Sequence, residues 1–229
     1  MATILLFDID GTLISSSGAG RRAMTRALDA IIGARPPLEP FDGMTDQQIV
    51  LRELVHLDPE RAPRLMEEVF ALYLEYLPHE VAITEAARFV VHPGVEHVLD
   101  RAQASGAALG LGTGNLREGA RIKLERVQLF HRFAFGGFGC DAKERAEVLR
   151  HGAERGARAL GVPLAECRVV VIGDTPKDVS AALTIGAECL GVGTGSYSPE
   201  ELRAAGATWV ASTLLESGAL ETLLGGPET

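Results

Sequence analysis

The chain predicts an α/β fold, a doubly wound parallel sheet with a helical bundle inserted near its start. Three observations carry that reading. Short continuous apolar runs recur at Thr3–Phe7, Ala107–Leu111, Arg168–Ile172 and Glu188–Val192, the pattern of strands buried on both faces. Helical stretches separate these runs, so the strands run parallel with crossover helices. Across residues 16–88, by contrast, no strand pattern intrudes and the apolar residues keep helical spacing.

Each element has a local reason. Thr3–Phe7 is apolar up to Asp8-Ile9-Asp10-Gly11-Thr12-Leu13, where the strand ends and Gly11 permits a sharp turn. Ser15–Gly20 is small and polar, suited to a hinge. Arg21–Ile32 puts Ala23, Met24, Ala27, Leu28 and Ile31 on one helix face, and Gly33 with Pro36-Pro37 stops it. Thr45 caps a second helix through Leu57, with Asp46 near its positive end. A third helix covers Pro59–Leu77, its wide apolar face including Val69, Tyr73 and Tyr76, and ends at Pro78.

The α/β pattern then resumes. Helices are expected at Val95–Ser105, Leu116–Gln128, Lys143–Leu160 and from Val179, with a short strand at Phe133–Phe135 and a weak one at Ala207–Val210. No internal repeat or low-complexity segment interrupts the 229 residues.

Bulk properties narrow the function. Hydrophobic content of 46% and charged content of 23% describe an ordinary globular protein. A net charge of −9 without a basic stripe argues against nucleic acid or an anionic membrane as partner. Cys140, Cys167 and Cys189 lack metal-ligand spacing and suit a reducing compartment. With no signal-like or membrane-spanning run, a cytoplasmic location is expected.

Polar clusters follow the buried strands directly, where open parallel sheets build their sites. Asp8 and Asp10 follow the first strand, Thr113-Gly114-Asn115 the second, and Asp174 with Asp178 the third. Asp174 and Asp178 are four apart, so both can face one point at a helix start; helix capping is their simpler reading. Acids converging on one crevice need a cation, and magnesium, a hard ion taking oxygen ligands, suits them. Gly110-x-Gly112-x-Gly114 has the wrong spacing for a dinucleotide loop, and the scattered histidines lack zinc-ligand spacing.

Phe7-Asp8-Ile9-Asp10-Gly11-Thr12-Leu13, Leu111-Gly112-Thr113-Gly114-Asn115 and Val171-Ile172-Gly173-Asp174-Thr175-Pro176-Lys177-Asp178 together resemble the haloacid dehalogenase-like superfamily. The order of motifs and the insert after the first strand are similar to its phosphoglycolate phosphatase and β-phosphoglucomutase branch. The resemblance implies a Rossmann-like core of residues 1–15 and 89–229 and a helical cap of residues 16–88. Asp8 would be the nucleophile, forming an aspartyl phosphate, and Asp10 the general acid/base. Mg2+ would be held by Asp8, the Asp10 carbonyl and Asp174, with Asp178 orienting a water or neighbour. Thr113, Gly114 and Asn115 would bind the phosphoryl group. The resemblance calls for a lysine beside the phosphoaspartate; here the segment is Cys140-Asp141-Ala142-Lys143-Glu144-Arg145, with Lys143 first by place and Arg145 second. Gly43-Met44-Thr45-Asp46 resembles the cap loop that approaches substrate, a capped turn being the alternative. The implied activity is magnesium-dependent hydrolysis of a small phosphorylated metabolite by a monomer or homodimer. A phosphomutase is the alternative, ahead of a receiver-like phosphoprotein or a dehalogenase.

Overall fold

In the computed structural model, which describes residues 1–33, 40–55 and 60–225, strand β1 (Ala2–Phe7) has no exposed surface from Ile4 to Phe7. Each such side chain contributes about 1.5–3 kcal/mol of burial, so this strand sets the sheet. Two β-strand residues, β2 (Ile14–Ser15), lead into three helices, α1 (Ala19–Ile32), α2 (Asp46–Leu54) and α3 (Ala62–Ile83). The chain returns through β3 (Val90–Val91), which pairs antiparallel with β2. It continues as α4 (Val95–Ala104), β4 (Ala108–Gly112), α5 (Arg117–Arg126), β5 (Phe135–Gly137), α6 (Arg145–Leu160), β6 (Cys167–Gly173) and α7 (Pro176–Thr184). The last elements are β7 (Glu188–Val192), α8 (Pro199–Ala204), β8 (Trp209–Ala211) and α9 (Ala219–Leu224).

The main sheet is parallel throughout, in the order β5-β4-β1-β6-β7-β8. Side chains alternate across β1 as a strand requires. Ile4 and Leu6 share a core with Leu149 and Ala153 of α6 and Val179 and Ala182 of α7. Leu5 and Phe7 share the opposite core with Val98 and Leu99 of α4, Leu223 of α9 and Met24 and Leu28 of α1. Helices thus cover both faces, and the doubly wound α/β fold expected from sequence is the one observed. The crossovers from β1 go to opposite sides, to β4 and to β6, which leaves a crevice at the carboxyl end of β1.

Several boundaries differ from expectation. α3 does not stop at Pro78 but runs through it to Ile83. The ring removes the hydrogen bond to the Leu74 carbonyl, yet buried Leu77 and Val81 hold the last turns in place. Glu80 adds ion pairs with Arg22 Nε at 2.9 Å and Arg26 Nη1 at 2.7 Å, tying α3 to α1. α7 begins at Pro176 rather than Val179, because Thr175 and Asp178 cap it reciprocally and proline suits a first turn. α6 begins at Arg145, leaving Lys143 in the preceding loop. β5 and β8 lie one or two residues later than expected, and the β2–β3 ribbon, α8 and α9 have no counterpart in the sequence reading. The expected stop at Pro36-Pro37, the helix end at Leu57 and the helix start at Pro59 fall outside the described residues. Among the described residues no helix is long and apolar enough to cross a membrane.

The helical insert docks on the sheet through the loop ahead of α2. Asp46 N–H donates to the Gly114 carbonyl at 2.8 Å, and Asp46 Oδ2 accepts from Leu116 N–H at 2.8 Å. Thr45 Oγ1 caps α2 by accepting from Gln48 N–H and donates to the Lys143 carbonyl at 2.8 Å. Burial raises the Asp46 carboxyl from 3.8 to about 6, with Lys123 opposing the rise.

A carboxyl whose pKa rises on folding favours its protonated form, so Asp46 costs stability as pH climbs from its unfolded value of 3.8, and the cost is complete above about 6. Near pH 7.5 that cost is about 3 kcal/mol, at ~1.4 kcal/mol per pH unit. Asp46→Asn keeps an oxygen for Leu116 N–H and removes the charge. It should stabilise the protein by about 1–3 kcal/mol at pH 7.5 and by almost nothing at pH 4, read from denaturant melts at both values. Equal stability of the two proteins at pH 7.5 would refute this account of Asp46.

Candidate active site

The chain leaves β1 at Asp8 and turns at Gly11, whose φ is 84°. A Cβ at Gly11 would stand 2.3 Å from Asp174 Oδ2, so only glycine lets the turn pass the end of β6. Asp8, Asp174 and Asp178 are all buried, and each offers a carboxylate oxygen within 4.8 Å of the others. The Asp8 N–H donates to the Ile172 carbonyl at 2.9 Å, which ties the nucleophile candidate to β6. Thr12 Oγ1 donates to Asp174 Oδ1 at 2.9 Å.

Arg145, from the first turn of α6, reaches into this cluster. Its Nη2 lies 2.8 Å from Asp8 Oδ1 and 2.5 Å from Asp178 Oδ1, and its Nε donates to Asp178 Oδ1 at 2.7 Å. Burial pushes the Asp8 carboxyl up to about 6, helped by Asp178 and Asp10 and opposed by Arg145. Burial and the repulsion of Asp178 and Asp8 hold Asp174 well above the usual carboxylate range.

Asp10 has different company. Lys123 Nζ donates to Asp10 Oδ2 at 2.5 Å and to Asn115 Oδ1 at 2.6 Å, while Asn115 Nδ2 donates to Asp10 Oδ2 at 3.1 Å. Ser16 Oγ donates to Asp10 Oδ1 at 2.7 Å. Burial alone would raise this carboxyl, but Lys123, Ser16 and Asn115 overcome it and hold it below its ordinary value.

The residues singled out in the sequence fall into three groups. Asp8, Asp10, Gly114, Asn115, Arg145 and Asp174 line one cavity of about 470 Å³ at the end of β1. Thr113, Thr45 and Asp178 stand behind it. Thr113 Oγ1 accepts from Asn115 N–H and Nδ2, and Thr45 holds α2 against the loop ahead of α6. Asp178 Oδ2 accepts from Thr175 N–H and Oγ1 while Oδ1 faces Arg145, so it both caps α7 and pairs the arginine. Lys143 is the third case. It is exposed, two residues ahead of α6, and the cation beside Asp8 is Arg145. The reason is helical register: the first turn of α6 aims residue 145 at the cluster, whereas residue 143 lies in the loop.

Sequence reading missed Lys123, Ser16 and Thr12. For Lys123 a signal exists. Gly119, Ala120, Lys123 and Leu124 form the buried stripe of α5, with Leu116 buried just ahead of it, so a lysine at that spacing must be buried and paired.

The donor set suits magnesium. Oxygen ligands alone converge, one arginine faces three acids, and the raised Asp8 and Asp174 are relieved by added positive charge. Asp8 and Asp174 are the carboxylates with capacity to hold it, since Asp178 is engaged by Arg145 and Thr175.

Comparison with known proteins fits this arrangement. The family model for haloacid dehalogenase-like hydrolases matches residues 2–186. No curated protein matches the chain. A hydrolase from Pseudomonas syringae is 26% identical over 93% of this chain and 94% of its own, with a TM-score of 0.63. CbbY from Rhodobacter sphaeroides, solved with phosphate, is 20% identical over 95% and 97% of the two chains, with a TM-score of 0.73. A mutant of the same protein, solved with xylulose-1,5-bisphosphate, is 20% identical over 95% and 97% of the two chains, with a TM-score of 0.72. On the family match, which takes in β1, the insert and the Asp174 turn, the chain belongs to the haloacid dehalogenase-like hydrolases.

Proposed function

We propose that the protein is a magnesium-dependent phosphatase that hydrolyses a small phosphorylated metabolite through an aspartyl phosphate on Asp8. The observation that carries this reading is the pairing of buried Asp8 with Arg145 at 2.8 Å, two residues before an Asp10 held by Lys123. CbbY, with xylulose-1,5-bisphosphate in its structure, gives an example of a small phosphorylated ligand in this fold.

In the first step an Asp8 oxygen bonds to phosphorus while the ester P–O bond breaks, and Asp10 gives a proton to the departing oxygen. In the second, Asp10 takes a proton from water as the water oxygen attacks phosphorus. The Asp8–phosphorus bond then breaks, releasing inorganic phosphate and restoring the carboxylate. Splitting the transfer in two is the use of the covalent intermediate. Arg145 offsets the repulsion between Asp8 and the incoming phosphate, and Asp178 fixes the arginine's direction. Mg2+ held by Asp8, the Asp10 carbonyl and Asp174 would supply further charge neutralisation at the phosphoryl oxygens. Lys123 keeps Asp10 ionised at rest, the form the second step needs; a phosphate monoester, with its second ionisation near pH 6, brings a proton for the first. Residues 16–88 act in this reading as a cap, closing over the leaving group and excluding water.

Phosphate release from an aryl phosphate, with Mg2+ and with chelator, is the direct test. Asp8→Asn should remove turnover with the fold intact, and Asp10→Asn should slow it about 10²–10⁴-fold. Residual turnover near wild type in Asp8→Asn, or in chelator, sinks the proposal.

The two basic candidates separate in the same assay. Arg145→Met leaves Asp8 and Asp178 buried without their cation and should cost about 3–5 kcal/mol of stability along with activity. Lys143→Ala, at an exposed loop position, should change stability by no more than about 0.5 kcal/mol and leave turnover near wild type. An Arg145→Met protein that loses stability yet keeps turnover near wild type would show that Arg145 is only a structural partner.

A further inference from the structure

The insert contributes one polar head to the cavity that neither the fold nor the proposed chemistry uses. Tyr73, on α3, is 1% exposed, and its neighbours Val69 and Leu77 on the same helix face are buried. Its side chain also lines the cavity that holds Asp8 and Asp10. Among the described residues its hydroxyl makes no hydrogen bond and is not sealed from the cavity, so a molecule in the cavity can reach it.

A Cβ at Gly20 of α1 would crowd Lys123 Nζ at 2.9 Å and make ordinary contact with Tyr73 Oη at 3.7 Å, so both heads lie beside the same stretch of α1. Lys123 is bonded to Asp10, the group that hands its proton to the departing oxygen, so Tyr73 faces the part of the substrate next to that oxygen. Met24 and Ile49, which line the same cavity from the insert, offer the hydroxyl at most a weak thioether acceptor. Asp46 also lines it, and its carboxylate opposes a second anionic substituent at that place. Arg21 lines it too, but is exposed and stacked on Phe41 at 5.0 Å.

We propose that Tyr73 is a specificity-determining residue whose hydroxyl hydrogen-bonds a hydroxyl group on the substrate's leaving portion, selecting hydroxylated metabolite phosphates over their deoxy counterparts. The proposal rests on the phosphatase reading for its chemistry, but its own content is a binding preference. A polar site built for a hydroxyl rejects the analogue that lacks it, because its own group is then left unpaired.

The test compares glycerol 3-phosphate with propyl phosphate in wild type and Tyr73→Phe, with Mg2+ present. The ratio of kcat/KM for the two should fall about tenfold in Tyr73→Phe. Tyrosine acting only as packing would move both substrates alike and leave that ratio unchanged, which overturns the proposal. The same ratio is read as Kd in Asp8→Asn and in Asp8→Asn with Tyr73→Phe, which needs no turnover. Should wild type release no phosphate from either compound, the Kd ratio still decides for or against Tyr73, and the phosphatase reading is judged separately by its own aryl phosphate assay. An unchanged Kd ratio overturns the proposal by itself.

Discussion

Three buried carboxylates facing one arginine set the terms for the rest of the molecule. Two unit charges 4.8 Å apart repel by about 3 kcal/mol at an effective dielectric of about 20, so the cluster holds only if its backbone cannot move away. The sheet supplies that restraint. β1 and β6 pair in register from Ala2–Cys167 to Phe7–Ile172, and both strands are buried as they approach the site. Asp178 is then satisfied by Arg145 and the start of α7, which leaves Asp8 and Asp174 as the pair with charge to spare. The apolar core thus holds acids together that would separate on a looser scaffold.

The fold was legible because its strongest signals are local. A short apolar run such as Ile4–Phe7 or the β-branched Val169–Ile172, ending at acids and glycine, reads as a strand covered on both faces, and its position fixes where the turn and the acids fall. Signals failed where packing outweighed a local rule. Pro78 is a helix breaker by composition, yet α3 passes through it because Leu77, Glu80 and Val81 are anchored on α1 and its surroundings. The β2–β3 ribbon, two residues a side, is too short for any periodicity to show.

The site divides along the same line. Asp8, Asp10 and Asp174 follow directly from strand ends, so the chain order alone places them. Arg145, Lys123 and Tyr73 depend on which way a helix faces, and that is decided by neighbours distant in sequence. Lys143 and Arg145 are only two residues apart, yet the helix starts between them: Arg145 is the first residue of α6 and turns inward, while Lys143 stays exposed in the loop. Asp178 shows that two readings can hold at once: it caps α7 and pairs with the arginine beside Asp8.

The segments that shape the chemistry are the same ones that hold the insert. The loop after β4 gives Asn115 to Asp10 and Lys123, and it gives the Gly114 carbonyl and Leu116 N–H to Asp46. The approach to α6 gives Arg145 to Asp8, and it gives the Lys143 carbonyl to Thr45. Arg145 Nη1 also lies 3.4 Å from the Gly43 carbonyl, so one side chain spans the nucleophile, α7 and the insert. An insert that undocked would therefore release restraints on Asn115 and Arg145 together. The same two loops hold both the insert and the side chains around Asp8 and Asp10, so the seat of the insert and the geometry of the acid cluster share their restraints.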